Sequence, residues 1–197
     1  MSALNLREVA DRPIGEQIRV LEEVVRENTV MMRLLESLEP GHWTGAGAIL
    51  GTVWNAIHGN EPSAHLKDFD IVYFDSEDLS AKSQQQVKAD IEQLDLGFPI
   101  DVVNAARVHL WYEDEFGKAI EPFSNVAESV ATWPTFAASV VVRLDGDRLD
   151  VIAPYGLHDL FAMWIRPNKT LISREVFEAK AARWSSCWPM ARVWDWN

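Results

Sequence analysis

The sequence predicts an α+β fold, a mixed β-sheet flanked by helices, on three observations. Two apolar runs of β type, 69–74 and 99–103, each stand between stretches of helical periodicity. The runs 138–144 and 148–152 are separated by Asp145–Gly146–Asp147, a turn signal between two strands. Helices alternating with single strands and then a hairpin give a mixed sheet with helices on its faces. At 197 residues and 48% hydrophobic, the chain suits one well-buried domain over 1–197, with an N-terminal helical segment (1–40) and a C-terminal helix and Trp-rich tail (170–197).

Ile14, Ile18, Leu21, Val25, Met32 and Leu35 recur at helical steps, so 14–38 reads as one amphipathic helix. Pro13 suits its first turn and Pro40–Gly41 stops it. Asn28 falls on the apolar seam and reads as partly exposed. A glycine-rich stretch at 44–47 leads into Ile49, Val53, Trp54 and Ile57, again with helical spacing, up to His58–Gly59. After the polar loop 59–66 comes the strand 69–74. Ser76–Glu77–Asp78 offers caps for a helix over 78–94, which Gly97 ends. The second strand spans 99–103, followed by a helix at 105–112 and an acidic loop at 113–115. Further helices are expected at 125–132, 156–164 and 173–184, the last capped by Ser173.

Charge narrows the function. Eighteen Lys and Arg against 30 Asp and Glu give a net charge of −12. That argues against an extended nucleic-acid partner, which calls for a basic face, while leaving room for a nucleotide neutralised by a metal and local cations. No run of about 18 apolar residues suggests a membrane span, and the N-terminus lacks a signal peptide's apolar core. The single Cys187 forms no internal disulfide and suits a reducing compartment, so a cytoplasmic protein is expected.

The chemistry centres on Asp68 and Asp70, two apart on a strand and therefore on one face. Two such carboxylates repel unless a cation lies between them. Asp101, flanked by Ile100 and Val102, reads as a buried aspartate, costly unless paired. If the strands are neighbours, the three carboxylates form a hard oxygen site for Mg²⁺ or Mn²⁺, which keeps waters and binds substrate phosphates. A DxD pair alone is commonly a solvated strand end. The order glycine turn, helix, DxD strand, helix, lone-Asp strand is more specific than any one part.

That order resembles the nucleotidyltransferase fold of the polymerase-β-type superfamily. GAGAILGTVWNAIHG, DFDIVYFD, DVVNAARVHLWY, ESVATWPTFAASVVVRL and APYGLHDLFAMWIRPN more closely resemble a bacterial family of small nucleotidyltransferase-like proteins, over residues 45–168. The resemblance implies metal-dependent transfer of a nucleoside monophosphate from an NTP to the hydroxyl of an acceptor, a small molecule or possibly a protein. It carries Asp68, Asp70 and Asp101 over as metal-binding and catalytic carboxylates. It carries Gly45, Ala46 and Gly47 over as the phosphate-facing turn, with backbone N–H groups in place of the serine hydroxyl of the commoner Gly-Ser form. The family shows an arginine and a polar residue where this chain has Leu50–Gly51, so the triphosphate lacks its expected cation there.

Arg107 is a candidate phosphate clamp, or else a partner of a nearby carboxylate. His109 is a candidate acceptor contact, or else a satisfied half-buried residue. Lys67 reads as a solvated strand-end charge and Asp159 as structural. Nine tryptophans, four of them between 184 and 196, read as a packing clasp rather than a base-stacking platform, with Cys187 as filler. Two rival functions remain. One is a catalytically weak or inactive nucleotide-binding regulator, favoured by Leu50–Gly51. The other is an interaction subunit using the N-terminal helix and the Trp-rich tail.

Overall fold

The computed structural model describes residues 6–197, so residues 1–5 of the predicted 1–40 helical segment lie outside the described residues. A 3₁₀ turn at Leu6–Asp11 leads into α1 (Ile14–Glu27) and α2 (Thr29–Ser37). Then come β1 (Trp43–Gly45), α3 (Ala46–His58), β2 (Phe69–Tyr73), α4 (Ala81–Glu92) and β3 (Ile100–Asn104). A second 3₁₀ turn precedes α5 (Tyr112–Phe116) and α6 (Val126–Val130). The hairpin of β4 (Val141–Asp145) and β5 (Arg148–Ile152) precedes α7 (His158–Ala162), β6 (Trp164–Ile165), α8 (Arg174–Cys187) and β7 (Arg192–Val193).

The main sheet has strand order β3-β2-β1-β4-β5. Only β2 and β3 run parallel; the other pairings are antiparallel. This is the mixed sheet flanked by helices that the sequence predicts. Gly146, at φ 60°, takes the left-handed turn position between β4 and β5 that the Asp-Gly-Asp signal foretells.

Alternation along the strands divides the sheet into two faces. Phe69, Ile71, Ile100, Val102, Val140 and Val142 join the large core that α1, α2 and α3 cover. The other face is smaller: Trp43, Val72 and Val141 pack against Ala105, Val126 and Val130. That cover ends at Val72 on β2. The residues before it on the same face, Asp70 and Asp68, therefore look out from the sheet beside the short helix rather than under it.

Three local expectations are corrected. The predicted single helix 14–38 is two helices broken at Asn28, which is fully buried rather than partly exposed. Its side-chain oxygen accepts from Met31 N–H (3.1 Å) and Ser63 Oγ (3.1 Å). Its amide donates to Thr52 Oγ1 (3.0 Å) and the Pro62 carbonyl (3.3 Å). Asn28 thus ends α1, caps α2 and ties both to α3 and the following loop. Truncating it strands several buried groups, so Asn28→Ala is expected to lower unfolding free energy by about 2–3 kcal/mol in urea titrations. A change below about 0.5 kcal/mol would contradict this account. The predicted helix 78–94 starts later, where Ser80 Oγ accepts from Ser83 N–H (3.1 Å). The acidic stretch 113–115, expected as loop, is helical in α5.

The first half of the Trp-rich tail is the packing clasp expected, while Trp194 is exposed. Trp184 and Trp188 lie edge-on to Trp54, at ring separations of 6.1 and 5.5 Å. Trp188 Nε1 donates to Asn55 Oδ1 (2.8 Å) and Trp54 Nε1 to the Leu160 carbonyl (2.7 Å), so both buried indoles are satisfied.

Candidate active site

One row of the sheet carries the site. Asp101 on β3 lies opposite Asp70 on β2, and Asp70 lies opposite Gly45 on β1. Directly paired residues present their side chains to the same face. The row therefore sets Asp101, Asp70 and the start of α3 side by side, with Asp68 one pleat back on the same face. Asp68, Asp70, Asp101, Ala46 and Gly47 all border a single cavity of about 350 Å³.

The three turn residues have different physical duties. A Cβ on Gly45 would collide with the Val140 carbonyl and lie 2.6 Å from Val141 Cγ1, so glycine is required there by the close approach of β1 to β4. Ala46 adopts φ 50°, a left-handed conformation uncommon for alanine, and its N–H is bound to the Val140 carbonyl (3.1 Å). This turn re-aims the chain from β1 into α3. No side chain caps α3, leaving its first-turn N–H groups as donors at the edge of the cavity. Gly47 has open space where a side chain would stand. The helix dipole and the uncapped first-turn N–H groups beyond Ala46 are features that suit an anion.

Electrostatics mark Asp70 as the strained member. Burial pushes its carboxyl up to about 6, Asp68 adds to the rise, and Asp101 contributes less; Lys180 and Lys67 pull the other way. Asp68 is 27% exposed and meets Lys67 at 3.4 Å. Asp101 departs from expectation. It is exposed (72%) because β3 is the edge strand, and it meets Lys88 of α4 at 3.7 Å. The burial cost inferred from its apolar neighbours falls instead on Asp70, which sits on an interior strand.

Among the described residues no three Asp, Glu, His or Cys side chains cluster closely enough to hold a metal ion unaided. Asp68 and Asp70 nevertheless provide two carboxylates on one face. A small hard cation bound by one or two carboxylates takes its remaining ligands from water and substrate phosphates. The donor set fits an ion arriving with a triphosphate.

Cations border the cavity from elsewhere in the chain than Leu50–Gly51. Leu50 is fully buried, and a Cβ on Gly51 would strike Leu66 Cδ2 and touch the Trp188 ring at 3.4 Å. That segment is packed under the tail and has no room for a long polar side chain. The helix that brings Trp188 there, α8, places Lys180 and Arg183 on the cavity wall. Burial lowers the Lys180 ammonium from its ordinary range, while Asp70 and Asp68 oppose the drop. Sequence reasoning missed this pair. Its one signal is KAAR, two cations one turn apart on a helix in a strongly acidic chain.

The other candidates lie elsewhere. Arg107 does not line the cavity; its guanidinium donates to the Leu79 carbonyl (3.2 Å) and Gln84 Oε1 (3.4 Å). His109 is half-buried on the same 3₁₀ turn, its Nδ1 without a partner. Asp159 is buried and structural, bound by Arg166 through two bonds of 2.6 and 2.7 Å.

Comparison with known proteins bears on the fold and the family. A solved structure described as a CCA-adding enzyme head domain superposes with a TM-score of 0.72 at 19% identity, covering 96% of this chain and 99% of that one. That likeness establishes the fold. No curated protein matches the chain. Residues 36–193, from the end of α2 through β7, match the family described as Nucleotidyltransferase. The chain belongs to this nucleotidyltransferase family.

Proposed function

We propose that the chain transfers a nucleoside monophosphate from an NTP, bound with Mg²⁺ or Mn²⁺, to the hydroxyl of a small-molecule acceptor. The observation that carries this reading is the row Gly45–Asp70–Asp101, which sets a helix N-terminus and two carboxylates against one cavity. The first-turn N–H groups of α3, with Lys180 and Arg183, bind the β- and γ-phosphates. Asp68 and Asp70 would hold the metal. When bound, the ion neutralises charge building on the α-phosphate. Asp101 takes the proton of the acceptor hydroxyl as its oxygen bonds to the α-phosphorus. The bond from that phosphorus to the bridging oxygen breaks, and its electron pair leaves with pyrophosphate. Releasing Asp101 from Lys88 costs little, since exposed ion pairs contribute about 0–1 kcal/mol. The net charge of −12 favours a small acceptor over nucleic acid, and the lone Cys187 suits a cytoplasmic setting.

Thermal unfolding with each NTP, with and without Mg²⁺ or Mn²⁺, tests the reading. A melting-temperature rise that needs both nucleotide and metal is expected, because a ligand that binds only the folded state stabilises it. No rise with any NTP–metal pair would contradict it. Binding without pyrophosphate release, across a panel of hydroxylated acceptors, would instead favour a nucleotide-binding regulator, the reading that the exposed, Lys88-paired Asp101 supports. An interaction subunit is less well supported: Leu21, Val25, Trp184 and Trp188 are buried in the chain's own core.

A further inference from the structure

A second and larger cavity, about 760 Å³, adjoins the carboxylate cavity. The two share Val103, Ser129, Trp133, Pro134 and Lys180. On β3, Val103 follows Asp101 by two residues and so points to the same face. On α8, Val176 borders the second cavity, Lys180 both, and Arg183 the first; those spacings of four and three keep them on one helix face. A single strand face and a single helix face thus run continuously from one cavity into the other.

The walls of the second cavity are aromatic and partly exposed. Trp111, Tyr112, Phe116 and Phe123 border it, with Trp133 at the junction. Phe116 is 56% exposed and Val176 39%, and both border the cavity. Apolar groups left exposed around a concave surface of this size are what an apolar ligand covers. Lys118 and Lys169 also border it, against one carboxylate, Glu115. Among the described residues neither lysine pairs with a carboxylate: Lys118 donates to the Thr170 carbonyl (3.2 Å), and Lys169 lies over the Trp196 ring (5.5 Å). In a chain of net charge −12 this is a local positive surplus.

Position decides between acceptor and nucleobase. Strand order puts β1 and the start of α3 on one side of Asp70, and β3 on the other. Phosphoryl transfer places the entering and leaving oxygens in line across the phosphorus. With pyrophosphate held at α3 and Arg183, the acceptor approaches from β3, where Asp101 stands and the second cavity opens. We infer that this cavity is the acceptor site, and that it takes a hydroxyl-bearing small molecule with a planar aromatic body and an anionic group. The roles of Asp101 and the in-line direction rest on the proposed nucleotidyl transfer; the ligand chemistry rests on the cavity alone.

Fluorescent probes of that chemistry test it. The aromatic anion 1-anilinonaphthalene-8-sulfonate is expected to bind the native protein saturably at one site. Phe116→Ser and Lys118→Gln, both at exposed positions, should each weaken it about tenfold without lowering the melting temperature. The uncharged N-phenyl-1-naphthylamine should bind more weakly and ignore Lys118→Gln. Asp70→Asn should leave probe binding unchanged, which separates failure of this assignment from failure of the transferase reading. Saturating NTP–Mg²⁺ should not displace the probe. Probe binding indifferent to both substitutions would overturn the assignment. Competitive displacement by NTP–Mg²⁺ would also overturn it, by making this the nucleobase cavity.

Discussion

Asp70→Asn is expected to slow nucleotidyl transfer by roughly 10²–10³ while making the metal-free protein more stable at neutral pH. On the catalytic side it replaces an anionic metal ligand with a neutral amide, and loss of one such electrostatic contact costs roughly 10²–10³ in rate. The stability effect follows from the raised carboxyl. In the folded, metal-free protein Asp70 keeps its proton up to about pH 6, whereas the ordinary value is 3.8. The folded state therefore binds more protons than the unfolded one between those limits. The resulting stabilisation is fully present below pH 3.8 and is lost as pH rises through 6. Above that point the ionised, crowded carboxylate costs on the order of 2–3 kcal/mol. Asparagine carries no such charge. Melting curves without metal should show the variant above wild type at pH 7.5, with the gap closing near pH 4. A variant less stable than wild type at pH 7.5 would show that Asp70 is not strained.

Lys180→Met is expected to raise KM for the NTP ten- to a hundredfold, the equivalent of about 1.5–3 kcal/mol for a charged hydrogen bond. Methionine keeps an apolar stem while removing the ammonium, which lies 5.9 Å from the Trp184 ring. Lys180 also pulls the Asp70 carboxyl down, so its removal should shift the acid limb of the pH–rate profile to higher pH. A purely structural lysine would not move that limb. Lys180→Arg, which keeps the charge, should restore part of the affinity. Unchanged KM and pH profile in Lys180→Met would place the triphosphate contact elsewhere.

Much of this was legible in the chain because its cause is local. Alternation in DFDIVYFD put Asp68 and Asp70 on one face, and β-type residues around Asp101 put it on a strand. The hairpin followed from its turn chemistry. Long-range packing hid the rest. Trp43–Gly45 is a strand only because β2 and β4 flank it; three residues show no period of their own. Asn28 breaks its helix because Thr52, Pro62 and Ser63 surround it, partners 24 to 35 residues away. Asp101 is exposed because β3 lies at the sheet edge, a property of strand order. Lys180 reaches the site only because the tail folds back over Gly51. Family resemblance flagged the missing cation at Leu50–Gly51, and tertiary structure brings Lys180 to the cavity wall from a helix far along the chain.

The most direct test of the central claim, that Asp68, Asp70 and Asp101 serve one metal–nucleotide cavity, is electron paramagnetic resonance of Mn²⁺ titrated with a non-hydrolysable NTP. Wild type should remove free Mn²⁺ from solution only when protein and nucleotide are both present, beyond what the nucleotide binds alone. Asp70→Asn should abolish that excess. Equal Mn²⁺ uptake by wild type and Asp70→Asn would contradict the account.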